Sequence, residues 1–284
     1  MRERKVVLVT GATGNEGGAV ARALLGRGHR VLALTRRPQS EAGRQLAQAG
    51  ALLVAGDFED AAALLGALAG AGGPADGVFV VSTPFEAGTQ AEVRQGIAVL
   101  EAAAAAGAGH VVYSSVASAD RGTGVSHFES KFRVEERLRS FGVSWTVLGP
   151  VSFLDGFASG WTRHSVAEGK FVFPMDGAKA LQVVVLDDVG MLAALVFEQL
   201  GRLRGRRIEV AGDELGPARM AAILTEVTGR EVVHIARDLA DVGVDTGGSD
   251  MAVMMRWLAE VGYQVDLAGL HAEFPRPTCS PWPS

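Results

Sequence analysis

Cysteine is almost absent from this chain of 284 residues: Cys279 is the single one, and it lies in a proline-rich tail. No intrachain disulfide can form, which suits a reducing compartment, and Cys279 reads as an incidental surface thiol. The six histidines are scattered without a pair at ligand spacing, so no metal site is expected. Long hydrophobic runs are missing as well. The first apolar stretch, Val6 to Val9, is broken by Gly11 and is too short for a signal-peptide core or a membrane span. A cytoplasmic protein without membrane association is the expectation. Clusters of positive charge are also lacking. Lys and Arg total 27 against 32 Asp and Glu, a net charge of -5, so the chain has no electrostatic footprint for nucleic acid or an anionic membrane. Direct contact with nucleic acid is therefore not expected.

What is present is an ordinary globular composition, 48% hydrophobic and 21% charged. Apolar runs alternate with helical stretches through the first half. Lys5–Thr10, Arg30–Thr35, Ala51–Ala55, Gly77–Ser82, His110–Ser115 and Val143–Leu148 read as strands, with a helix over Asn15–Gly28 and others between the remaining pairs. Near-continuous apolar strands separated by helices imply a parallel sheet covered on both faces. The expected class is α/β, a doubly wound parallel sheet (Rossmann fold) with a smaller C-terminal α/β lobe. Residues 1–150 would form the dinucleotide-binding domain and residues 151–284 the smaller substrate or regulatory lobe, some of whose segments return to the sheet. After Pro150 two further strands are expected at Gln182–Leu186 and Arg207–Ala211, and helices at Asp187–Leu200, Gly216–Thr228 and Asp250–Val261. The tail from Phe274 to Ser284 holds four of the ten prolines and reads as loosely attached.

The first strand runs into Gly11-Ala12-Thr13-Gly14-Asn15-Glu16-Gly17-Gly18. The first glycine permits a tight turn, the second lets backbone approach a pyrophosphate, and the third lets the helix pack on the strand. The helix N-terminus then offers N–H groups to phosphate. Glu16 is out of place beside phosphates and is expected to point away from them, to solvent or the second lobe. The second strand ends in Thr35-Arg36-Arg37 with no acid before Glu41. Two guanidiniums there suit a 2′-phosphate, so NADP(H) is expected rather than NAD. Asp57, just past the third strand, fits the adenine edge, an N-cap for the next helix, or both.

Further on, Ser126 and Glu129 form a capping box that would start a helix at His127. His127 and Lys131 are then four apart on one face, with His127 in an exposed first turn and Lys131 one turn deeper. Ser115 reads as a strand-end hydroxyl that satisfies the following loop, and only loosely as a catalytic serine.

Taken together, these segments resemble the NmrA-like family of atypical short-chain dehydrogenases/reductases, including its HSCARG-like NADPH-sensor group. The resemblance rests on the glycine loop, Thr35-Arg36, Gly56-Asp57, His127-Phe128-Glu129-x-Lys131, Val134-Glu135-Glu136, Pro174-Met175-Asp176-Gly177 and Leu186-Asp187-Asp188-Val189-Gly190. It implies an NADP cradle. Gly11 to Gly17 would hold the pyrophosphate and Arg36 the 2′-phosphate. Asp57 and Phe58 would flank the adenine, and Ser82, Thr83 and Pro84 would line the ribose. Lys131 would bond the nicotinamide ribose, and Pro150, Val151, Ser152 and Phe153 would lie along the nicotinamide. The family's more conventional relatives use Tyr-x-x-x-Lys; here His127 holds the tyrosine position. Two functions stay open: a redox sensor or regulator with weak or no turnover, whose partner would be a regulatory protein, and an NADPH-dependent reductase of quinones or other small electrophiles, with Lys131 and His127 as the catalytic candidates and the proton coming from water, His127 or Lys131. A pure interaction module without nucleotide would require the glycine loop and Arg36 to be vestigial.

Overall fold

A computed structural model describes residues 3–69, 74–158, 160–238 and 249–275. Cys279 and the end of the tail lie outside the described residues. The chain divides into two compact units. The first takes in residues up to Arg121, Ser126–Pro150 and Leu186–Glu209; the second takes in Gly122–Val125, Val151–Val185 and the described residues from Val210 onward.

In the first unit strands and helices alternate: β1 (Val6–Val9), α1 (Asn15–Gly26), β2 (Arg30–Thr35), α2 (Glu41–Gln48), β3 (Leu52–Ala55), α3 (Ala61–Ala69), β4 (Gly77–Val81), α4 (Gly88–Ala105), β5 (Val111–Ser114), α5 (Ser126–Ser140) and β6 (Trp145–Pro150). The second unit then contributes β7 (Ser152–Phe153), α6 (Gly160–Ala167), β8 (Lys170–Phe173) and β9 (Leu181–Val184). The chain returns to the first unit through α7 (Leu186–Glu198), α8 (Leu200–Leu203) and β10 (Arg207–Val210). It ends with β11 (Asp213–Leu215), α9 (Pro217–Thr228), β12 (Val233–Ala236), α10 (Ser249–Glu260) and α11 (Leu267–Glu273) in the second.

The seven-stranded sheet has the order β10-β6-β5-β4-β1-β2-β3, and the pairs from β3 through β6 are parallel. This is a Rossmann-like α/β fold, as the alternation of apolar strands and helices implies. β1, β4 and β5 are buried along almost their whole length because helices cover both faces. Edge strand β3 is half exposed. One core joins Leu8, Leu34, Leu64, Val80, Leu100 and Tyr113 to Val134 and Leu138 of α5. Gly190 explains part of the Leu186–Gly190 motif. A Cβ there would sit 2.7 Å from the backbone oxygen of Ala19, so only glycine lets α7 lie this close to α1.

In the second unit β7, β9 and β11 form one small sheet, and β8 pairs in parallel with β12. The aromatic ring of Phe157 packs edge-on against Phe171 and Phe173, at 5.8 and 5.3 Å between centroids. The Gln182 amide donates to Glu214 and to the carbonyl of Val265, and accepts from the Val265 N–H. β7, β8, β11 and β12 are strands where the sequence shows none. Each has two to four residues, too few for a period to be read. No described helix is long and apolar enough to cross a membrane.

Candidate functional site

The sheet order reverses between β1 and β4, and the crevice outside the carboxyl ends of such strands is where a doubly wound sheet takes its ligand. Thr10 closes β1 there. Its Oγ1 accepts from the N–H of Val81 at 2.9 Å and lies 3.3 Å from the Val81 carbonyl, so β1 and β4 stay paired to their very ends. Gly11 then turns the chain with φ +57, and its carbonyl accepts from the N–H of Gly14. Gly14 sits at the N-cap of α1 in extended conformation with no side-chain cap. A Cβ on Gly17 would lie 2.4 Å from the Gly11 oxygen and 2.6 Å from that of Thr10. Any side chain there would push α1 off the strand and close the cradle. Thr13 Oγ1 lies 3.3 Å from Thr35 Oγ1, which also accepts from the Arg37 N–H, so the glycine loop is tied to the end of β2. Asn15 is exposed at the first helical position.

Glu16 does not point away, contrary to expectation. Its carboxylate accepts a hydrogen bond from Ser114 Oγ at the end of β5. Burial raises its pKa above the usual carboxylate value, while the Ser114 bond and the charge of Lys131 pull the other way. The acid is thus turned toward the end of β5, where burial disfavours its charged form.

At the far end, Arg36 and Arg37 are both exposed. Arg36 Nη2 donates to both oxygens of Glu86, at 2.9 and 2.8 Å. Asp57 is exposed and accepts from the N–H of Glu59; the α3 cap is Asp60, which accepts from the Ala63 N–H at 2.9 Å. The capping role considered for Asp57 therefore belongs to Asp60. Phe58 is half-buried against the core.

The opposite end is organised by Lys131. Its ammonium donates to the carbonyl of Ser82 at 2.9 Å and pairs with Glu92 Oε1 at 2.9 Å. Glu92 has no exposed side-chain surface. It also accepts from Ser82 Oγ and Ser130 Oγ, and Ser82 Oγ lies 3.5 Å from the Tyr113 hydroxyl. Burial holds the Tyr113 phenol well above its ordinary pKa, so it stays neutral and sealed. In the loop after Ser82, Thr83 Oγ1 accepts from the Phe85 N–H and the Pro84 carbonyl from the Gly88 N–H.

His127 is not exposed, as expected from its place in a first turn, but buried. α5 starts one residue early, at Ser126, and the loop after β4 brings Phe85 to 6.0 Å from the imidazole, with Phe128 at 4.9 Å on another side. Ser115 also departs from expectation: among the described residues its buried Oγ has no hydrogen-bond partner. The buried Oγ of Ser118, whose φ is 61, likewise has none among them. An unpaired buried hydroxyl costs about 1–3 kcal/mol, which a ligand group could recover. Pro150 ends β6 in the first unit, whereas Val151, Ser152 and Phe153 belong to the second, the last two as β7. Among the described residues no group of three or more His, Cys, Asp or Glu side chains could hold a metal ion.

Sequence reasoning missed Glu86, Glu92 and Ser114. Only Glu92 left a trace. It falls on the helical stripe Glu92, Gly96, Val99, Leu100 and Ala103, all buried, where a carboxylate implies a buried partner.

The NmrA-like family model matches residues 3–272. The NmrA-like family domain-containing oxidoreductase FrzB of a Cladobotryum species is 30% identical over 253 residues, 80% of this chain and 74% of that one. Among solved structures, the NADPH-dependent quinone oxidoreductase QOR2 of Escherichia coli, complexed with NADPH, superposes with a TM-score of 0.80 at 24% identity over 97% of this chain and 96% of that one. NmrA, a negative transcriptional regulator in complex with NADP, gives 0.79 at 19% identity over 96% and 92%. A glycine cradle at the switch point of a Rossmann-like sheet, with a family match over nearly the whole length, places this chain in the NmrA-like family.

Proposed function

We propose that this chain binds NADP(H) across the carboxyl edge of its seven-stranded sheet and reduces small electrophiles such as quinones. The observation that carries the binding half is the Gly11–Gly17 cradle, in which a Cβ on Gly17 would strike backbone at 2.4 Å. The uncapped start of α1 would face the pyrophosphate, and Arg36 with Arg37 the 2′-phosphate. An ammonium has three donors. Lys131 uses one on Ser82 and one on Glu92, which leaves one for a ribose hydroxyl. The unpaired Ser115 hydroxyl fits a further polar contact. When bound, the cofactor supplies a hydride. The name of the FrzB relative and the quinone activity of the QOR2 neighbour support the reductase reading.

His127 stands four residues before Lys131, where conventional relatives carry tyrosine, and Tyr113 is sealed in the core of the first unit. Substrates that take their proton from water therefore suit the site better than ketones that need a phenol. That same observation supports a second reading, a redox sensor or regulator with little turnover, as the NmrA neighbour is titled a regulator. Steady-state oxidation of NADPH against a panel of quinones separates the two. Saturable turnover of about 1 per second or more supports the reductase. Background rates together with NADPH-dependent protease sensitivity support the sensor.

A further inference from the structure

The segment between β4 and α4 touches both ends of the crevice edge. The Ser82 carbonyl holds Lys131, and four residues on, Glu86 holds both of its oxygens within 2.9 Å of one Arg36 nitrogen. Arg36 is the residue that the proposed function gives to the 2′-phosphate. Its side chain is 56% exposed and that of Glu86 60%, so the pair is weak and exchangeable. A phosphate monoester carries about -1.5 to -2 charges and three acceptor oxygens, against one charge and two oxygens on a carboxylate. It can take the guanidinium from Glu86, but it must then sit beside the displaced acid or drive it away. A dinucleotide without that phosphate has no reason to disturb the pair.

We propose that Glu86 is a specificity-determining residue that competes with the 2′-phosphate for Arg36 and so lowers the affinity of the site for NADP(H) but not for NAD(H). The inference rests on the dinucleotide reading above. It makes the degree of NADP(H) preference a property of two loops, the end of β2 and the segment after β4, rather than of Arg36 alone.

Calorimetric titration of the full chain with NADP+ and with NAD+ at fixed ionic strength tests it. Glu86→Gln should tighten NADP+ by about fivefold and leave NAD+ within about twofold. Glu86→Ala should act in the same direction, and the thermal midpoint of each variant verifies folding. In an Arg36→Met background, Glu86→Gln should change NADP+ affinity by less than about twofold, because the competed group is gone. NADP+ binding that is indifferent to both Glu86 variants overturns this inference alone, as does an equal gain for NAD+. Binding of neither nucleotide by the unaltered protein overturns the dinucleotide reading and the inference with it.

Discussion

The Lys131 ammonium lies 2.9 Å from Oε1 of Glu92, a carboxylate with no exposed side-chain surface. This pair joins α5 to α4, and α4 comes close at the same place: a Cβ on Gly96 would lie 3.0 Å from a Val134 methyl. Lys131 is therefore part of the architecture as well as the candidate site. Lys131→Ala leaves the Glu92 charge buried and unpaired and should cost about 3–5 kcal/mol in denaturant unfolding. Lys131→Ala should also weaken NADPH binding several-fold. A loss of stability under about 1 kcal/mol would contradict a structural role for this pair.

Gly17→Ala is the most local test of the cradle. The new Cβ meets backbone oxygens at 2.4 and 2.6 Å, which no side-chain rotation relieves. Overpacking of this kind costs about 1–3 kcal/mol. Dinucleotide affinity should fall at least about tenfold. Titration that finds unchanged affinity in a folded variant would remove the cradle from the binding site.

Glu16 gives a pH-dependent effect of known sign. Its pKa is raised in the folded state by burial, more than the Ser114 bond and Lys131 offset. A raised carboxyl contributes stability below the unfolded value and loses it as pH rises through the folded value. Glu16→Gln keeps the shape without the charge. It should raise the thermal midpoint at pH 8 relative to the unaltered protein and close that gap toward pH 4. A variant less stable at pH 8 contradicts the assignment.

His110 works in the opposite sense. It is fully buried, with Nδ1 2.8 Å from Ser144 Oγ and Nε2 3.0 Å from Thr146 Oγ1, and burial lowers its pKa to about 4 from the ordinary 6.5. Between those values the unfolded chain binds a proton that the folded chain does not, so stability falls as pH drops below 6.5. The loss amounts to about 3 kcal/mol by pH 4. His110→Asn should remove that slope between pH 6.5 and 4 in urea unfolding. An unchanged slope would assign the acid sensitivity to other groups.

Much of this was legible in the sequence. The strands of the first unit declare themselves as apolar runs, and the glycine loop reads from three residues because its chemistry is local. The acids of the candidate site do not, because their contacts depend on distant partners. Glu86 meets Arg36 across 50 positions and Ser114 meets Glu16 across 98. His127 reads as exposed for a similar reason: one of its ring neighbours, Phe85, arrives from the loop after β4. Ser115 departs because a hydroxyl at a strand end is usually satisfied by its own loop, and here no described residue pairs with it.

The proposed NADP(H) site of the first unit is read by Arg36. Calorimetric titration of the unaltered protein with NADPH and NADH measures it most directly. A charge-assisted bond contributes about 1.5–3 kcal/mol, and competition from Glu86 places the effect at the lower end. NADPH should therefore bind roughly tenfold more tightly than NADH, and Arg36→Glu should abolish the difference. Equal affinity for the two nucleotides, or no binding of either, would contradict the account.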